Sequence, residues 1–132
     1  MTEGGQGAPL AALVTAANVN EGTVLEAVVD RIEPIKRPRG RPRKRPDKLH
    51  GDKAYDAARH RRALRARHIL PRIARKGVEA SQRLGRHRWK VERTFAWLSR
   101  FRRLRVRDER RADLHQAFLD LGCALICWKL LD

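Results

Sequence analysis

Apolar residues along this chain fall into short runs and periodic faces, separated by basic stretches and by glycine and proline. "APLAALVTAA" (8–17) is an almost unbroken apolar run after a glycine-rich start, and it predicts a buried strand. In "TVLEAVVDRI" (23–32), Leu25, Val28, Val29 and Ile32 fall at i, i+3, i+4 and i+7, one apolar face of a helix. Thr23 and Glu26 have the spacing of a capping box, and Pro34 ends the pattern. "KLHGD" (48–52) predicts a short strand ending in an acid. "YDAARHRRALRAR" (55–67) predicts a helix with Asp56 as N-cap. "HILPRI" (68–73) predicts a strand that Pro71 confines to a sheet edge.

Two longer helices follow. The first is predicted over about 86–105, with Val91, Phe95 and Leu98 on one face and Trp97, Phe101 and Leu104 adjoining. The second is predicted over about 112–131. Its Leu114, Phe118, Leu121, Leu125 and Trp128 recur at alternating steps of four and three, a face that needs a cover. Strands alternating with helices and ending in two helices give an α/β order without internal repeats. The helical spacing of Trp89, Trp97 and Trp128 reads as core packing.

Charge changes this picture most between 36 and 46. "KRPRGRPRKRP" holds seven basic side chains, three prolines and one glycine, so it neither buries a core nor sustains a helix. It is an insert between a helix and a strand. The formal net charge is +16 over 132 residues, yet residues 1–35 hold five acids and one arginine, −5 + 1 = −4, leaving +20 for the remainder. A field of that strength favours a polyanion as partner, with DNA or RNA the leading candidate. Arginine outnumbers lysine 24 to 7, which suits bidentate phosphate contacts. No signal peptide is recognisable, and the most apolar stretch, 117–128, is too short for a bilayer and contains Asp120. Cys123 and Cys127 suggest no disulfide framework and read as buried small side chains. The expectation is a cytoplasmic, reduced, nucleic-acid-associated protein without a membrane partner. His50, His60, His68 and His87 lie among arginines and are expected to be solvated or to face phosphate.

Two acids stand where chemistry is common. Asp52 ends a predicted strand, the position at which open α/β sheets present reactive groups. Glu92 shares a helix face with Arg88, one turn before it. Taken alone, the pair at 88 and 92 reads as a surface salt bridge and Asp52 as a cap or turn residue.

Together, "LHGDKAYD", "LGRHRWKVERTFAWLSRFRRL" and "LGCALICW" resemble the C-terminal part of the catalytic domain of bacterial insertion-sequence transposases of the DDE (Asp-Asp-Glu) class. The resemblance covers residues 8–131. It implies an RNase H-like fold, a mixed sheet with flanking helices, and two-metal cleavage and joining of DNA strands with Mg²⁺, or Mn²⁺ in its place. Asp52 matches the second acid and Glu92 the third, both as metal ligands, with Arg88 as the cation beside Glu92. The family's helix motif is Tyr, two residues, Arg, three residues, Glu, six residues, Lys. Gly85 stands at its Tyr and Ser99 at its Lys, so Arg100 or Arg103 would replace the lysine contact to DNA. The first acid of the family lies on a strand upstream of the region matching 8–17. Glu3 is the one acid before that run, and its glycine-rich setting does not match the motif. The resemblance thus implies two of three ligands, a sheet incomplete at its N-terminus, and a chain silent until completed.

Expected DNA contacts are Lys36, Arg37, Arg39, Arg41, Arg43, Lys44 and Arg45 of the insert, with Lys53, Arg100 and Arg103. "RGRP" also resembles the core of an AT-hook, an extended segment that fits a narrow minor groove. Expected partners are element ends and target DNA, with self-association or assembly with full-length transposase. The other reading is a noncatalytic protein that binds element DNA or interferes with the full-length enzyme. A basic RNA-binding or ribosomal protein is disfavoured by the paired acid motifs.

Overall fold

A computed structural model describes residues 1–4, 6–36, 38–77 and 85–131; for 21, 22 and 85–88 it describes the backbone alone. The elements in chain order are β1 (Thr2–Glu3), β2 (Pro9–Ala11), α1 (Leu25–Asp30), β3 (Lys48–Gly51), α2 (Ala58–Ala66), β4 (Leu70–Ile73), α3 (Gly85–Leu98), α4 (Arg102–Arg105) and α5 (Ala112–Lys129). Short 3₁₀ turns occupy Glu21–Val24 and Lys53–Tyr55. The architecture is mixed α/β. Among the described residues β1 pairs with β2 antiparallel and β3 with β4 parallel, as two separate sheets. The chain divides into two compact units, 18–87 and 1–17 with 88–132.

Unit 18–87 is built on a βαβ crossover. Parallel strands cannot be joined by a tight turn, and α2 spans the distance between β3 and β4. Its core is Leu25 and Val29 from α1, Leu64 from α2, and Ile69 and Ile73, with Leu49 and Tyr55 packed alongside. The apolar face predicted for 25–32 is therefore the face that α1 buries. Its capping box does not form. The Thr23 hydroxyl donates to the Asn20 carbonyl at 2.7 Å, and Val24 takes the N-cap position without a side-chain cap.

The C-terminus of α2 is a Schellman turn. The N–H of His68 bonds to Arg65 O (2.8 Å), that of Ile69 to Leu64 O (2.9 Å), and both Ile69 and Leu64 are in the core. His68 occupies the left-handed position with φ 55°, where a side chain is strained and glycine is not. We expect His68→Gly to stabilise the protein by up to about 1 kcal/mol in urea melts, since the His68 side chain is exposed. A loss of stability would mean that the imidazole makes a contact of its own. His60, expected to be solvated, is instead buried at 3% exposure, because it points inward from the same helix turn as Leu64.

Asp56 does not cap α2; Ala57 stands at that position. The carboxylate accepts from Arg61 Nη2 (2.7 Å) and the Lys76 backbone N–H (2.8 Å), and Arg61 also donates to Ile73 O (2.9 Å). The Lys76 amide, and after it Arg61, holds the Asp56 carboxyl below its usual range. With its folded pKa depressed, this stabilisation is complete above the unfolded value, about 3.9. It is lost as pH falls through the lower folded value. Asp56→Asn should therefore be less stable than the parent at neutral pH and lose less stability on acidification in circular dichroism melts. Equal acid limbs in both proteins would exclude this residue as a source of acid sensitivity.

In unit 1–17 with 88–132, the antiparallel β1–β2 pair closes through a turn in which Gly4 N–H bonds Ala8 O and Gly7 N–H bonds Gly4 O. Gly7 has φ +81°. The strand predicted over 8–17 is only three residues long. Beyond it the Gln116 amide continues the pattern, accepting from Val14 N–H (2.8 Å) and donating to Ala12 O (3.1 Å).

The helix predicted over 86–105 is two helices, α3 and α4. Ser99 Oγ donates to Ala96 O (2.8 Å), a side-chain bond to the preceding turn that competes with helix continuation, and Phe101 is extended at ψ 117°. On α5 the predicted apolar face is not the covered one. Gly122 and Ile126 are buried, whereas Leu121 is 56% and Trp128 71% exposed. Helices approach most closely where a residue is small, and a Cβ on Gly122 would lie 2.9 Å from Leu104 and 3.1 Å from Leu98. We expect Ile126→Asp to cost about 3 kcal/mol or more, as a buried unpaired charge does. Leu121→Asp should cost under about 1 kcal/mol. Thermal melts of the two variants check the assignment, and the reverse order would restore the Leu121 face as the buried one.

Candidate catalytic and DNA-contacting residues

Asp52 follows the last residue of β3 and caps the 3₁₀ turn Lys53–Tyr55. Its backbone is extended (φ −71°, ψ 165°), and its carboxylate accepts from the Lys53 backbone N–H. The side chain is exposed at the carboxyl end of a parallel strand. Two nearby acids differ in availability. Asp56 is committed to Arg61 and Lys76, while Asp52 presents a hard oxygen donor to solvent. The strand holds this place by close packing: a Cβ on Gly51 would lie 3.2 Å from Ile73 on the neighbouring strand.

Glu92 is on α3 and exposed. Asp52 and Glu92 belong to different units. Arg88 is on the same helix, but its side chain, and with it the pairing to Glu92, lies outside the described residues. Among the described residues no three of His, Cys, Asp and Glu gather as a metal cluster.

Beside Glu92, α3 carries a stack that the sequence reading did not anticipate. The Arg93 guanidinium lies 5.0 Å from the Trp89 ring centre and 4.5 Å from that of Trp97, both one helical turn away. Arg93 also donates to Gln6 O (3.0 Å). Thr94, fully buried, donates toward Lys90 O (3.2 Å) and Gly7 O (3.4 Å). These bonds tie α3 to the β1–β2 turn. Trp89, read from its spacing as core, is 50% exposed, because it packs on the arginine rather than into the interior. The i, i+4, i+8 spacing of Trp89, Arg93 and Trp97 was the available signal.

The basic insert is a closed loop. Ile35 and Arg43 exchange both backbone hydrogen bonds at 2.8 Å. Gly40 at the tip has φ +89°. An AT-hook requires an extended Arg-Gly-Arg; this turn does not supply it. Arg43 pairs with Asp47 and donates through Nε to Arg45 O (2.8 Å). Arg45 reaches Arg67 O (3.5 Å). Lys36, Arg39, Arg41 and Lys44 are exposed, and Arg37 lies outside the described residues. Arg67 was not singled out from the sequence. It grips Asp30 through two bonds (2.7 and 2.8 Å) and lies 3.3 Å from Glu26, tying α2 to α1. That arginine holds the Asp30 carboxyl below its usual range. Elsewhere, Arg100 is exposed, Lys53 is half-buried, and Arg103 pairs with Glu109 and lies over Phe118.

On α5, burial pushes the Cys123 thiol up to about 11, with Asp120 adding to it. Cys127 Sγ lies 3.5 Å from Pro9 O, to which it donates. No helix among the described residues is long and apolar enough to cross a membrane.

The family described as "Transposase DDE domain" matches residues 1–127. The chain belongs to the DDE transposase family. A Burkholderia cepacia protein named "Putative transposase for insertion sequence element IS402" is 57% identical over 125 residues, covering 95% of this transposase-family chain. The chain spans 59% of the length of that relative. No solved structure matches this chain.

Proposed function

We propose that this transposase-family chain takes part in insertion-sequence transposition, contributing Asp52 and Glu92 to metal-dependent cleavage and joining of DNA within an RNase H-like catalytic domain. The observation that carries the reading is Asp52. It is an exposed carboxylate at the carboxyl end of a parallel strand, beside an acid whose oxygens are already taken. Exposed carboxylates are the hard oxygen donors that Mg²⁺ or Mn²⁺ accepts. Asp52 and Glu92 would hold such ions, with Arg88 beside Glu92. Bound divalent ions supply stabilisation of the attacking and leaving oxygens. A paired-ion centre needs a third carboxylate, and no residue of this chain is assigned to it.

The chain's own contribution to substrate binding is cationic. The loop at 36–46, with Lys53, Arg100 and Arg103, neutralises phosphates and positions DNA without reading its sequence. The test is cleavage of duplexes carrying element ends by the chain and by a version of the relative's length, with Asp52→Asn and Glu92→Gln in each. Loss of cleavage with DNA binding retained is the expected result. Cleavage that survives both substitutions would overturn the assignment. Binding without cleavage in every version would favour a noncatalytic DNA-binding protein.

A further inference from the structure

The stripe that α5 leaves uncovered is a seam. Leu114, Ala117, Leu121, Ala124 and Trp128 are all exposed, and they follow one another at steps of three, four, three and four. That spacing keeps one face of a helix against a partner helix along its whole length. Leu125 is also exposed and widens the stripe on one side. Single apolar residues are ordinary on a protein surface, but a continuous row of them marks a contact face.

The sizes of these side chains say what the seam fits. Large residues alternate with alanine at 117 and 124. A parallel pair of such helices sets each position against itself, so that Trp128 meets Trp128 and alanine meets alanine. One layer is then overfilled and the next is left with a void, and both cost stability. An antiparallel pair sets Ala117 of one copy against Trp128 of the other, and Leu121 against Ala124. A two-fold axis repeats both matches in reverse, so every large side chain rests on a small one. This complementarity lies within one sequence read in two directions, and the partner that it fits is a second copy of the chain.

Charge agrees with that partner. Two copies of a chain of +16 repel one another over most of their surface, but α5 carries two acids, Asp113 and Asp120, and one lysine, Lys129. Asp120 is drawn off the seam by Gln116 Nε2 (2.8 Å), whose amide is itself bonded to the backbone of Ala12 and Val14. With 18 residues α5 is about 27 Å long, so the seam alone makes an interface at the small end of the stable range. The pairing is accordingly weak and reversible.

We propose that the chain forms an antiparallel two-fold dimer through this face of α5, with Leu121 of each copy seated on Ala124 of the other.

The experiment is sedimentation velocity of the full 132-residue chain, freed of nucleic acid, over a concentration series. The expected result is a monomer–dimer equilibrium with a dissociation constant on the order of 10 µM. Leu121→Lys and Ala124→Asp, both at exposed positions, should each raise that constant about tenfold or more. Mixed in equal amounts, the two variants should pair with one another, because antiparallel packing brings the new lysine and the new aspartate into one layer. Parallel packing gives no such rescue. Ala117→Asp repeats the single-variant test at a third exposed position, and circular dichroism melts establish that each variant folds. A chain that is still monomeric at about 100 µM overturns the proposal and leaves the seam to a different polypeptide. A dimer that the substitutions do not weaken lies on another face and overturns it as well, as do species that grow without limit with concentration. Variants that fail to pair in the mixture overturn the antiparallel arrangement.

Discussion

Replacing Lys36, Arg39, Arg41, Lys44 and Arg45 with serine should flatten the salt dependence of DNA binding more than any comparable change elsewhere in the chain. Each phosphate contact contributes about 0.9 to the slope of log K against log salt, so seven contacts would give roughly 6 units. The structure lowers that ceiling. Arg43 already has Asp47 as a counter-charge, and Arg45 is drawn toward Arg67 O. The five substitutions should therefore remove roughly 4 units of slope. The affinity difference from wild type would then be largest at low salt and would narrow as salt rises. Titrations of one duplex at several salt concentrations read the slope directly, and a slope equal to wild type would remove the loop from the interface. Leaving Arg43 in place preserves its pair with Asp47, so the substitutions test charge rather than loop closure.

The second large effect concerns the acids. If Asp52 and Glu92 hold metal, Asp52→Asn and Glu92→Gln each remove a charged hard ligand while keeping shape. The loss is several kcal/mol of transition-state stabilisation, a fall in strand cleavage of about 10³-fold or more. Asp52 also caps a turn, so a structural role must be separated from a metal role. Asp52→Cys, assayed in a cleavage-competent version, should be inactive with Mg²⁺ and recover part of its activity with Mn²⁺, which accepts softer ligands. Recovery that is equal with both ions, or wild-type cleavage by either amide variant, would exclude metal binding by that side chain. Melting temperatures within a few degrees of the parent would exclude unfolding as the cause.

How far the sequence revealed these features depended on the range of the interaction. The α1 face at Leu25, Val28, Val29 and Ile32 was legible because helical periodicity reports a buried side directly, and these residues are buried. The strand at 48–51 ending before Asp52 was legible for the same local reason. The face of α5 was not. Two apolar stripes compete on that helix, and close approach at Gly122 selects the one containing Ile126, a choice made by Leu98, Phe101 and Leu104 rather than by α5 itself. Caps failed similarly. Thr23 and Asp56 have the correct chemistry for helix starts, but each found another partner, Asn20 O for one and Arg61 with Lys76 for the other. Of the candidate site, Asp52 and Glu92 were visible as motif residues, and the insert was visible from composition. Its closure by residues 35 and 43, and the anchoring of Arg67 across 37 positions of sequence, depend on tertiary geometry that spacing does not encode.

The bond pair between Ile35 and Arg43 also bears on how such a chain can change over generations. A segment whose two ends are stapled by backbone groups can be exchanged without disturbing the scaffold beneath it, because those groups are common to all amino acids except proline at the donor. Lengthening such a segment is inexpensive in entropy, about 0.6 kcal/mol for each doubling. The stretch between 35 and 43 is thus a cassette. If the loop contacts phosphates as proposed, chimeras that carry a different cationic sequence between the same two anchors should fold normally and shift DNA affinity with their charge, whatever the DNA sequence.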